Sequence, residues 1–333
     1  MNNKKYLLIT DTHLSNNKIK TVIEFYEYLC SYAKENNIKE LVHLGDFFSN
    51  RKYISLNLIP VVYQIGDMLN NTFNNVYIIA GNHDIFYKDR MDVTSLLLFR
   101  FYKNIHVITE PYQLSPQTLL YPWLFNKERL TIDKRTGYKN IMGHFDISGV
   151  VLNRLGTLSK NDNLSQSDFS GFENVFSGHF HTPGIYGNIR YLGAPYQMSF
   201  NDGGIRGFYI WDEKTLDFIE YNGYSKYIIL TQDHDFNEGD IFNNNVRLDF
   251  TKKLPVNEME NLTKKINELK PKSFKTKFAI NDVEKINGVD SPEIISDNRE
   301  LLLTFFKNDD TPEHINKKLL ESFLNVLIEE FQG

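Results

Sequence analysis

The chain has 333 residues, a length that predicts about two domains. Apolar residues make up 41% of it and aromatic residues 14%, which excludes an intrinsically disordered protein. The net charge of -5 argues against a protein that simply coats nucleic acid. It leaves room for a phosphate-binding site, because bound divalent cations would offset acidic ligands there.

The cysteine content and the N-terminus predict the compartment. Cys30 is the single cysteine, so an intrachain disulfide is excluded and a reducing compartment fits. It lies on the apolar face of a predicted helix, so we interpret it as a small buried side chain rather than a nucleophile. The N-terminus lacks the long apolar region of a signal peptide, and no segment approaches ~18 consecutive apolar residues. We therefore expect a cytoplasmic protein without a membrane span.

The order of the predicted elements indicates the fold class. Strand-like apolar runs cover 6–10, 40–44, 76–80, 104–109, 118–124, 140–142 and 174–177, and helical spacing covers 19–33, 54–70 and 93–102. Three more strands follow without helices, at 189–192, 207–211 and 216–221. Alternating β and α elements followed by mostly β elements predict a two-sheet α/β sandwich rather than a single Rossmann sheet. The polar stretch 149–171 is long for a compact domain, which is typical of a functional or mobile loop.

The sequence changes character after residue 222, where the first predicted domain, 1–222, ends. Predicted strands at 227–231, 246–250 and 275–280, with a helix at 257–269, indicate a small α+β capping domain over 223–290. Residues 291–333 predict a helix pair, at 298–306 and from Thr311-Pro312 onward. The second helix has a wide apolar face that docks either on its own chain or on a helix of another protein. That face comprises Ile315, Leu319, Leu320, Phe323, Val326, Leu327 and Phe331.

Five short polar groups stand directly after predicted strands. They are Asp11-Thr12-His13, Gly45-Asp46, Gly81-Asn82-His83-Asp84, Gly143-His144 and Gly178-His179-Phe180-His181. Taken singly, such a group is as typical of a polar turn that ends a strand as of a ligand site. In open α/β sheets, however, ligands bind at the carboxyl ends of the strands. Because the groups occur in series and contain five of the nine histidines, we expect their side chains to meet.

The donor types in these groups indicate metal chemistry. Oxygen and imidazole ligands without thiolate suit Mn, Mg, Fe or Zn better than a structural Cys-type zinc site. Seven ligands that share one aspartate are enough for two cations, and two cations ~3.5–4 Å apart can clamp both reacting oxygens of a phosphoester and activate a water. His83 offers a proton donor or a cation, and Asp84 a carboxylate able to orient it. The seven candidate ligands are Asp11, His13, Asp46, Asn82, His144, His179 and His181.

The five groups resemble the pattern of the calcineurin-like metallophosphoesterase superfamily, namely Asp-x-His, Gly-Asp, Gly-Asn-His-Asp or -Glu, Gly-His and Gly-His-x-His. The resemblance implies that one metal ion is bound by Asp11, His13, Asp46 and His181. It implies that the other is bound by Asp46, Asn82, His144 and His179, so that Asp46 bridges the two ions. It also implies that His83 does not bind metal but stabilises the transition state or protonates the leaving oxygen, oriented by Asp84.

A run beyond the last histidine is similar to the SbcD-type exonuclease subunit of the double-strand-break repair nuclease (meiotic recombination eleven) family. It comprises Arg190-Tyr191-Leu192-Gly193-Ala194-Pro195, Ser199-Phe200-Asn201-Asp202 and Arg206-Gly207. In overall size and compact C-terminus the chain is most similar to the phage recombination endonuclease subunit. The resemblance implies a Mn-dependent DNA exonuclease or endonuclease that forms a homodimer and binds an SbcC-type coiled-coil ATPase. In that case Leu319 and Phe323 are candidate docking residues for the ATPase.

Some positions leave the substrate open. Cellular members of the nuclease family often carry a histidine three residues after the Gly-Asp aspartate, where this chain has Ser49, so the balance of exonuclease and endonuclease action is open. Arg51 and Lys52 either contact DNA phosphates or are ordinary solvated charges. His43 and His106 lie inside predicted strands, and we interpret both as structural.

Two other functions share the same metal-ligand pattern. A metal-dependent phosphatase or a cyclic-nucleotide phosphodiesterase of the same superfamily would have the same residues up to His181. The run after His181 and the additional C-terminal units favour the nuclease. A non-catalytic scaffold is disfavoured, because it would have no reason to keep the whole set of polar groups.

Overall fold

The computed structural model describes residues 4–124, 137–151, 156, 158–159, 164–234, 236–252 and 254–278. These residues belong to one compact unit, Met1–Ala279. The predicted helices at 298–306 and after Thr311, and with them Leu319 and Phe323, lie outside the described residues, as does part of the stretch 149–171. In the described part, no helix has the length and apolar character needed to cross a membrane.

The described part contains fifteen strands and four α-helices. In chain order the strands are β1 Tyr6–Ile9, β2 Glu40–His43, β3 Asn75–Ile79, β4 Ile105–Ile108, β5 Tyr112–Ser115, β6 Thr118–Tyr121, β7 Asn140–His144, β8 Asn174–Gly178, β9 Gly184–Tyr186, β10 Ile189–Tyr191, β11 Gly207–Trp211, β12 Leu216–Glu220, β13 Tyr227–Thr231, β14 Asn245–Phe250 and β15 Ser273–Phe278. The helices are α1 Ile19–Glu35, α2 Ile59–Thr72, α3 Glu238–Ile241 and α4 Val256–Glu268. The sequence did not predict the short elements β5, β9 and α3.

Two six-stranded mixed sheets form the larger part of the fold. The first has the order β12-β11-β1-β2-β3-β4, with β1 to β4 parallel and β11 and β12 antiparallel. The second has the order β5-β6-β7-β8-β10-β9, with the two edge strands antiparallel to a parallel centre. Helices α1 and α2 connect β1 to β2 and β2 to β3, as parallel pairing requires.

The alternation of side chains along the strands builds the layers. In β1, Leu7 and Ile9 pack with α1 and α2, whereas Tyr6 and Leu8 pack with residues of the second sheet. The layer between the sheets includes Val42, Tyr77, Ile79, Leu120, Met142, Phe176 and Leu192. The predicted two-sheet α/β sandwich is therefore confirmed.

Local sequence explains where the helices begin and end. The buried face of α1 repeats at helical spacing and includes Cys30, and burial raises the pKa of its thiol, in agreement with a structural role. Helix α2 begins at Ile59, later than predicted, because Pro60 is favourable only in the first turn. The predicted helix at 93–102 is a shorter 3₁₀ helix, Ser95–Phe99, capped by the Thr94 hydroxyl, which accepts from the Leu96 N–H at 3.2 Å.

The stretch 149–171 is less loop-like than predicted. Its described part contains the 3₁₀ helix Gln166–Phe169, which begins with a capping box at Ser165. Leu164 and Phe169 within the stretch, and Phe172 directly after it, are buried with the outer side chains of the second sheet. This part of the stretch therefore covers the face of the sheet that points away from the first sheet.

A third sheet, β13-β14-β15, is parallel throughout. Helix α4 connects β14 to β15 and buries Ile266 against Leu230, Val246 and Leu248. Strand β15 begins at Ser273, two residues earlier than the predicted strand 275–280. The domain boundaries at 222/223 and 290/291 stay predictions.

Candidate metal centre

The candidate ligands lie at the carboxyl ends of strands from both sheets. Those after β1, β2 and β3 come from the first sheet, and those at the end of β7 and after β8 come from the second. The structure brings all seven candidate ligands together in two adjoining groups.

The first group contains Asp11, His13 and His181, whose candidate ligand atoms all lie within 4.8 Å of one another. The Nε2 atoms of His13 and His181 are 3.0 Å apart, and His13 Nε2 lies 3.7 Å from Asp11 Oδ1. Asp11 and His13 are buried, and His181 is half-buried. One carboxylate and two imidazoles of this kind are an ordinary donor set for a divalent first-row metal ion.

The second group contains Asp46, His144 and His179, again with candidate ligand atoms within 4.8 Å of one another. Asn82 joins it, because its Oδ1 lies 3.1 Å from His144 Nε2 and 3.0 Å from His179 Nδ1. Asp46 also connects the groups: its Oδ2 lies 3.3 Å from His144 Nε2 and 3.7 Å from His13 Nε2. The carboxylate is therefore placed where a ligand shared by two cations would be.

The hydrogen bonds of His144 test whether this group fits a cation. His144 Nδ1 donates to the Leu44 carbonyl oxygen at 2.7 Å, so Nε2 of the neutral ring presents a lone pair. The atoms nearest to Nε2 here, Asn82 Oδ1 and Asp46 Oδ2, are both acceptors. Three electron pairs that face one another require a positive charge, which either an additional proton or a metal ion supplies. The residues present therefore fit a metal ion.

Protonation of His144 competes with metal binding. Burial alone would lower the pKa of this imidazole, but the Asp46 carboxylate outweighs burial and raises the pKa to about 9. At lower pH a metal ion must displace the proton, so we expect the apparent affinity for Mn²⁺ to increase about tenfold per pH unit between about pH 7 and 8.5. Calorimetric titration in buffers of different ionisation enthalpy would measure both the affinity and the proton released. An affinity that does not change with pH would contradict this expectation.

Four of the candidate ligands have backbone angles that non-glycine residues adopt rarely. The φ angles are +51° at Asp11, +46° at His13, +56° at Asp46 and +87° at His179. The Asp11 N–H donates to the Gly45 carbonyl at 3.0 Å, and the His13 N–H donates to the Asp46 carbonyl at 3.1 Å. Such residues cost about 1–3 kcal/mol each and concentrate at functional sites.

The glycine before Asn82 is explained by close packing. A Cβ atom at Gly81 would overlap the backbone and the carboxylate of Asp46. Only glycine therefore lets the strand end after β3 approach Asp46. Gly81 therefore leaves room for the Asp46 carboxylate and has no chemical role of its own.

His83 lies beside the two groups, but Asp84 does not orient it. His83 Nδ1 lies 2.7 Å from the Ser49 carbonyl oxygen, and its backbone N–H donates to Asp46 Oδ1 at 2.9 Å. The Asp84 carboxylate instead accepts the N–H groups of Phe47, Phe48 and Gly81 at 3.0 to 3.3 Å. The prediction that Asp84 orients His83 is therefore wrong.

The hydrogen bonds of the Asp84 carboxylate instead join the loop after β2 to the loop after β3. Burial and then the nearby Asp46 carboxylate raise the pKa of Asp84 to about 7, while the N–H donors of Phe48 and Gly81 oppose the shift. Ser49 could not be recognised as the partner of His83, because a backbone carbonyl leaves no mark in the sequence.

Arg51 and Lys52 differ in their surroundings. Arg51 donates from Nε and Nη2 to the Asn82 carbonyl oxygen at 3.1 and 2.7 Å, so it supports the loop that carries a candidate ligand. Lys52 is exposed. The predicted contact of either residue with DNA phosphates stays a prediction.

Two carboxylates that the sequence analysis missed face the far nitrogens of candidate ligands. Asp146 Oδ2 lies 3.6 Å from His179 Nε2, and Asp202 Oδ1 lies 3.9 Å from His181 Nδ1. Carboxylates in this position orient a metal-bound imidazole and raise its basicity. Arg206, which is 1% exposed, donates to the His181 carbonyl oxygen and to the Gly203 carbonyl oxygen. The available signals were the spacing of Asp146, two residues after His144, and the place of Asp202 in the run after His181.

The histidines inside strands, His43 and His106, agree with structural roles. His43 is buried, accepts the Gly45 N–H at Nδ1 and lies 3.0 Å from the Thr12 hydroxyl, and burial lowers its pKa to about 3. His106 stacks on Tyr77 with ring centroids 5.1 Å apart. Neither is among the residues that could hold a metal ion in the described part.

A two-sheet α/β sandwich with adjoining histidine and carboxylate groups at its strand ends defines a candidate dinuclear metallohydrolase. A calcineurin-like phosphoesterase family model matches residues 4–195. The chain therefore belongs to the calcineurin-like phosphoesterase family, and so to the hydrolases. This confirms the superfamily that the sequence motifs indicated.

Individual relatives are more distant. Exonuclease subunit 1 of Enterobacteria phage T4 is 29% identical over 201 residues, which cover 57% of this chain and 58% of that relative. A dimetal phosphatase from Danio rerio is 10% identical, with a TM-score of 0.38 and coverage of 62% of this chain and 91% of that one. The nuclease MPE of Pseudomonas putida is 18% identical, with a TM-score of 0.28 and coverage of 56% and 66%. Both TM-scores lie below 0.5, so the family assignment depends on the sequence match alone.

Proposed function

We propose that this chain is the nuclease subunit of a DNA-processing complex and hydrolyses DNA phosphodiesters with two divalent cations, Mn²⁺ in preference to Mg²⁺, Fe²⁺ or Zn²⁺. The observation that carries the proposal is the convergence of the seven candidate ligands around Asp46. The similarity to a phage exonuclease subunit favours a nuclease within the family. A cytoplasmic location is part of the same proposal.

The residues divide the chemistry among them. Asp11, His13 and His181 would hold one cation, Asn82, His144 and His179 the other, and Asp46 both. Two such cations supply an activated water and neutralise charge on the phosphodiester. Asp146 and Asp202 would keep the imidazoles of His179 and His181 in position.

His83 would act on the leaving oxygen. Its Nδ1 is committed to the Ser49 carbonyl, so Nε2 carries a proton only when the ring is protonated. Burial lowers the pKa of His83, while the Asp46 carboxylate opposes that shift. A proton held at Nε2 by this poorly solvated ring would be transferred readily, which suits a general acid.

The alternative is a phosphatase or a cyclic-nucleotide phosphodiesterase of the same family. The residues after His181 distinguish a nuclease from a phosphatase less well than the motif indicated, because several of them support the candidate metal ligands. Arg206 donates to the His181 carbonyl, Asp202 faces the His181 ring, and the Tyr196 hydroxyl donates to the Thr12 carbonyl. Support of this kind would serve any phosphoester substrate.

Cleavage assays separate the two functions. Linear and circular DNA would be incubated with Mn²⁺ or Mg²⁺, alongside p-nitrophenyl phosphate as a generic phosphatase substrate. We expect cleavage of linear DNA with Mn²⁺, and cleavage of circular DNA would reveal an endonuclease component. Hydrolysis of the monoester without any cleavage of DNA would contradict the nuclease and favour the phosphatase.

The complex would contain an SbcC-type coiled-coil ATPase docked on the C-terminal segment 298–331. The Leu319→Glu, Phe323→Glu double variant is expected to abolish co-purification with the ATPase, because two charges would enter an apolar face. Nuclease activity on single-stranded DNA should remain. If the complex survives the double variant, the docking assignment is wrong.

Two further features of the complex are part of the proposal. We expect a homodimer, which analytical ultracentrifugation would detect. We also expect the capping region 223–290 to contact DNA. A strictly monomeric species at micromolar concentration would contradict the dimer.

A further inference from the structure

A ten-residue loop, 85–94, follows directly after His83 and Asp84, and we call it the aromatic loop. An antiparallel bridge between Ile85 and Thr94 closes its base, and the Phe86 N–H donates to the Val93 carbonyl at 2.9 Å. The Thr94 hydroxyl and the Ser95 N–H donate to the Asp84 carbonyl at 2.7 and 2.9 Å. Ile85 is fully buried. The base of the loop is therefore fixed to Asp84, whose carboxylate joins the loops that carry Asp46 and Asn82.

The outer part of the aromatic loop exposes two large rings side by side. Phe86 is 43% exposed and Tyr87 36% exposed, and their ring centroids are 4.8 Å apart in an edge-to-face arrangement. The Arg90 guanidinium lies 3.7 Å above the Tyr87 ring, which restrains that ring. Exposed neighbouring aromatic rings held in place by a structured base are typical of a surface that binds a ligand.

The aromatic loop adds no net charge to the site. Lys88 and Arg90 are balanced by Asp89 and Asp92, and Arg90 Nε lies 3.1 Å from Asp92 Oδ1. A contact with phosphates would require uncompensated cations. The ligand that these residues suit is therefore one that offers a flat apolar face rather than a charge.

The chain connectivity limits the distance between Phe86 and His83, which lies beside the candidate metal centre. Phe86 is three residues after His83, and a chain spans at most ~3.6 Å per residue, so the two Cα atoms are within about 11 Å. A nucleotide adjacent to a phosphodiester bound at the metal centre would be within reach. Its base can present a face only when it is unpaired or at a strand end, because the faces of paired bases are covered by stacking.

We propose that Phe86 and Tyr87 form a stacking platform for an unpaired base next to the scissile phosphodiester. The platform rests on the proposed nuclease function and adds to it a preference for single-stranded or frayed ends. The stacking contributes affinity that is insensitive to salt, in contrast to contacts with phosphates.

The test compares the Phe86→Ala, Tyr87→Ala double variant with Phe218→Ala. Phe218 is 41% exposed on β12, at the edge of the first sheet, so the control removes a ring of the same exposure elsewhere. The probes are a fluorescein-labelled single strand of thymidines and a blunt duplex, with Ca²⁺ in place of Mn²⁺. We expect the double variant to bind the single strand about tenfold more weakly or worse, equally at low and high salt, and the control to bind like the wild type.

A second variant keeps the proposal testable if the double variant does not fold, which its thermal melting would show. Phe86→Trp retains the ring and should retain single-strand binding, and the oligonucleotide should quench the new indole fluorescence. Unchanged single-strand affinity in a folded double variant, or no quenching of Phe86→Trp at saturating oligonucleotide, would overturn the platform.

The failure of the platform is distinguishable from failure of the proposed function. If the wild type cleaves DNA and the double variant binds the single strand normally, only the platform is wrong. If the wild type hydrolyses p-nitrophenyl phosphate but neither binds nor cleaves DNA, the proposed function is wrong and the platform with it.

Discussion

Replacing Asp46 with asparagine is expected to remove nearly all activity and most of the bound metal. Asp46 Oδ2 faces both ligand groups, at 3.3 Å from His144 Nε2 and 3.7 Å from His13 Nε2. Loss of its charge therefore weakens both cation positions at once. Metal ions contribute several kcal/mol of transition-state stabilisation, so we expect hydrolysis to fall by about 10³-fold or more.

Metal content by mass spectrometry and the rate of DNA cleavage together check this result. Asp217→Asn is the matched control, because it makes the same chemical change at an exposed position on β12. A variant Asp46→Asn that retains two metal ions and wild-type turnover would show that this carboxylate is not the shared ligand.

Replacing His83 with alanine should separate catalysis from metal binding. The His83 ring is held by the Ser49 carbonyl, and no metal-binding group found in the described residues includes it. We therefore expect unchanged metal content and a fall in cleavage of about 10²–10⁴-fold, the range for general acid–base groups.

The pH profile adds a second readout for His83. If the protonated ring acts on the leaving oxygen, the wild-type rate should decrease as pH rises through the pKa of His83, and the variant should lose that dependence. Full activity of His83→Ala would remove this residue from the mechanism, and loss of metal would make it a ligand instead.

The positions of the candidate ligands were predictable because each stands next to a strong local signal. An apolar run of strand length ends in a glycine or a turn residue, and the polar side chain follows at once, as at Gly45-Asp46 and Gly143-His144. The alternation of element types also predicted the two-sheet sandwich. In both cases the local sequence pattern and the tertiary structure favour the same types of residue at the same positions.

The supporting contacts were not predictable, because they join residues far apart in the chain or use backbone atoms. Ser49 holds His83 through its carbonyl, and Asp202 faces a histidine 21 positions earlier in the chain. Asp84 illustrates the opposite error: its position next to His83 indicated a pair, but the structure uses its carboxylate for three backbone N–H groups. Adjacency in the chain is a poor guide to hydrogen-bond partners when a buried loop has N–H groups to satisfy.

The stretch 149–171 is a case of a different kind. Its length and polar composition suggested a functional or mobile loop, but Leu164 and Phe169 within it, and Phe172 directly after it, are buried against the second sheet. An aromatic side chain such as Phe169 can attach a polar segment, because it buries a large apolar area.

Each ligand group takes side chains from both sheets. Asp11 and His13 follow β1 of the first sheet whereas His181 follows β8 of the second, and the other group is divided in the same way. Cations bound there would link the two sheets to each other, and unfolding would have to release them. Heat resistance would then depend on the concentration of free metal, since a ligand that binds only the folded form adds stability in proportion to the logarithm of its concentration. The lifetime of the protein in a cell would follow the supply of that metal.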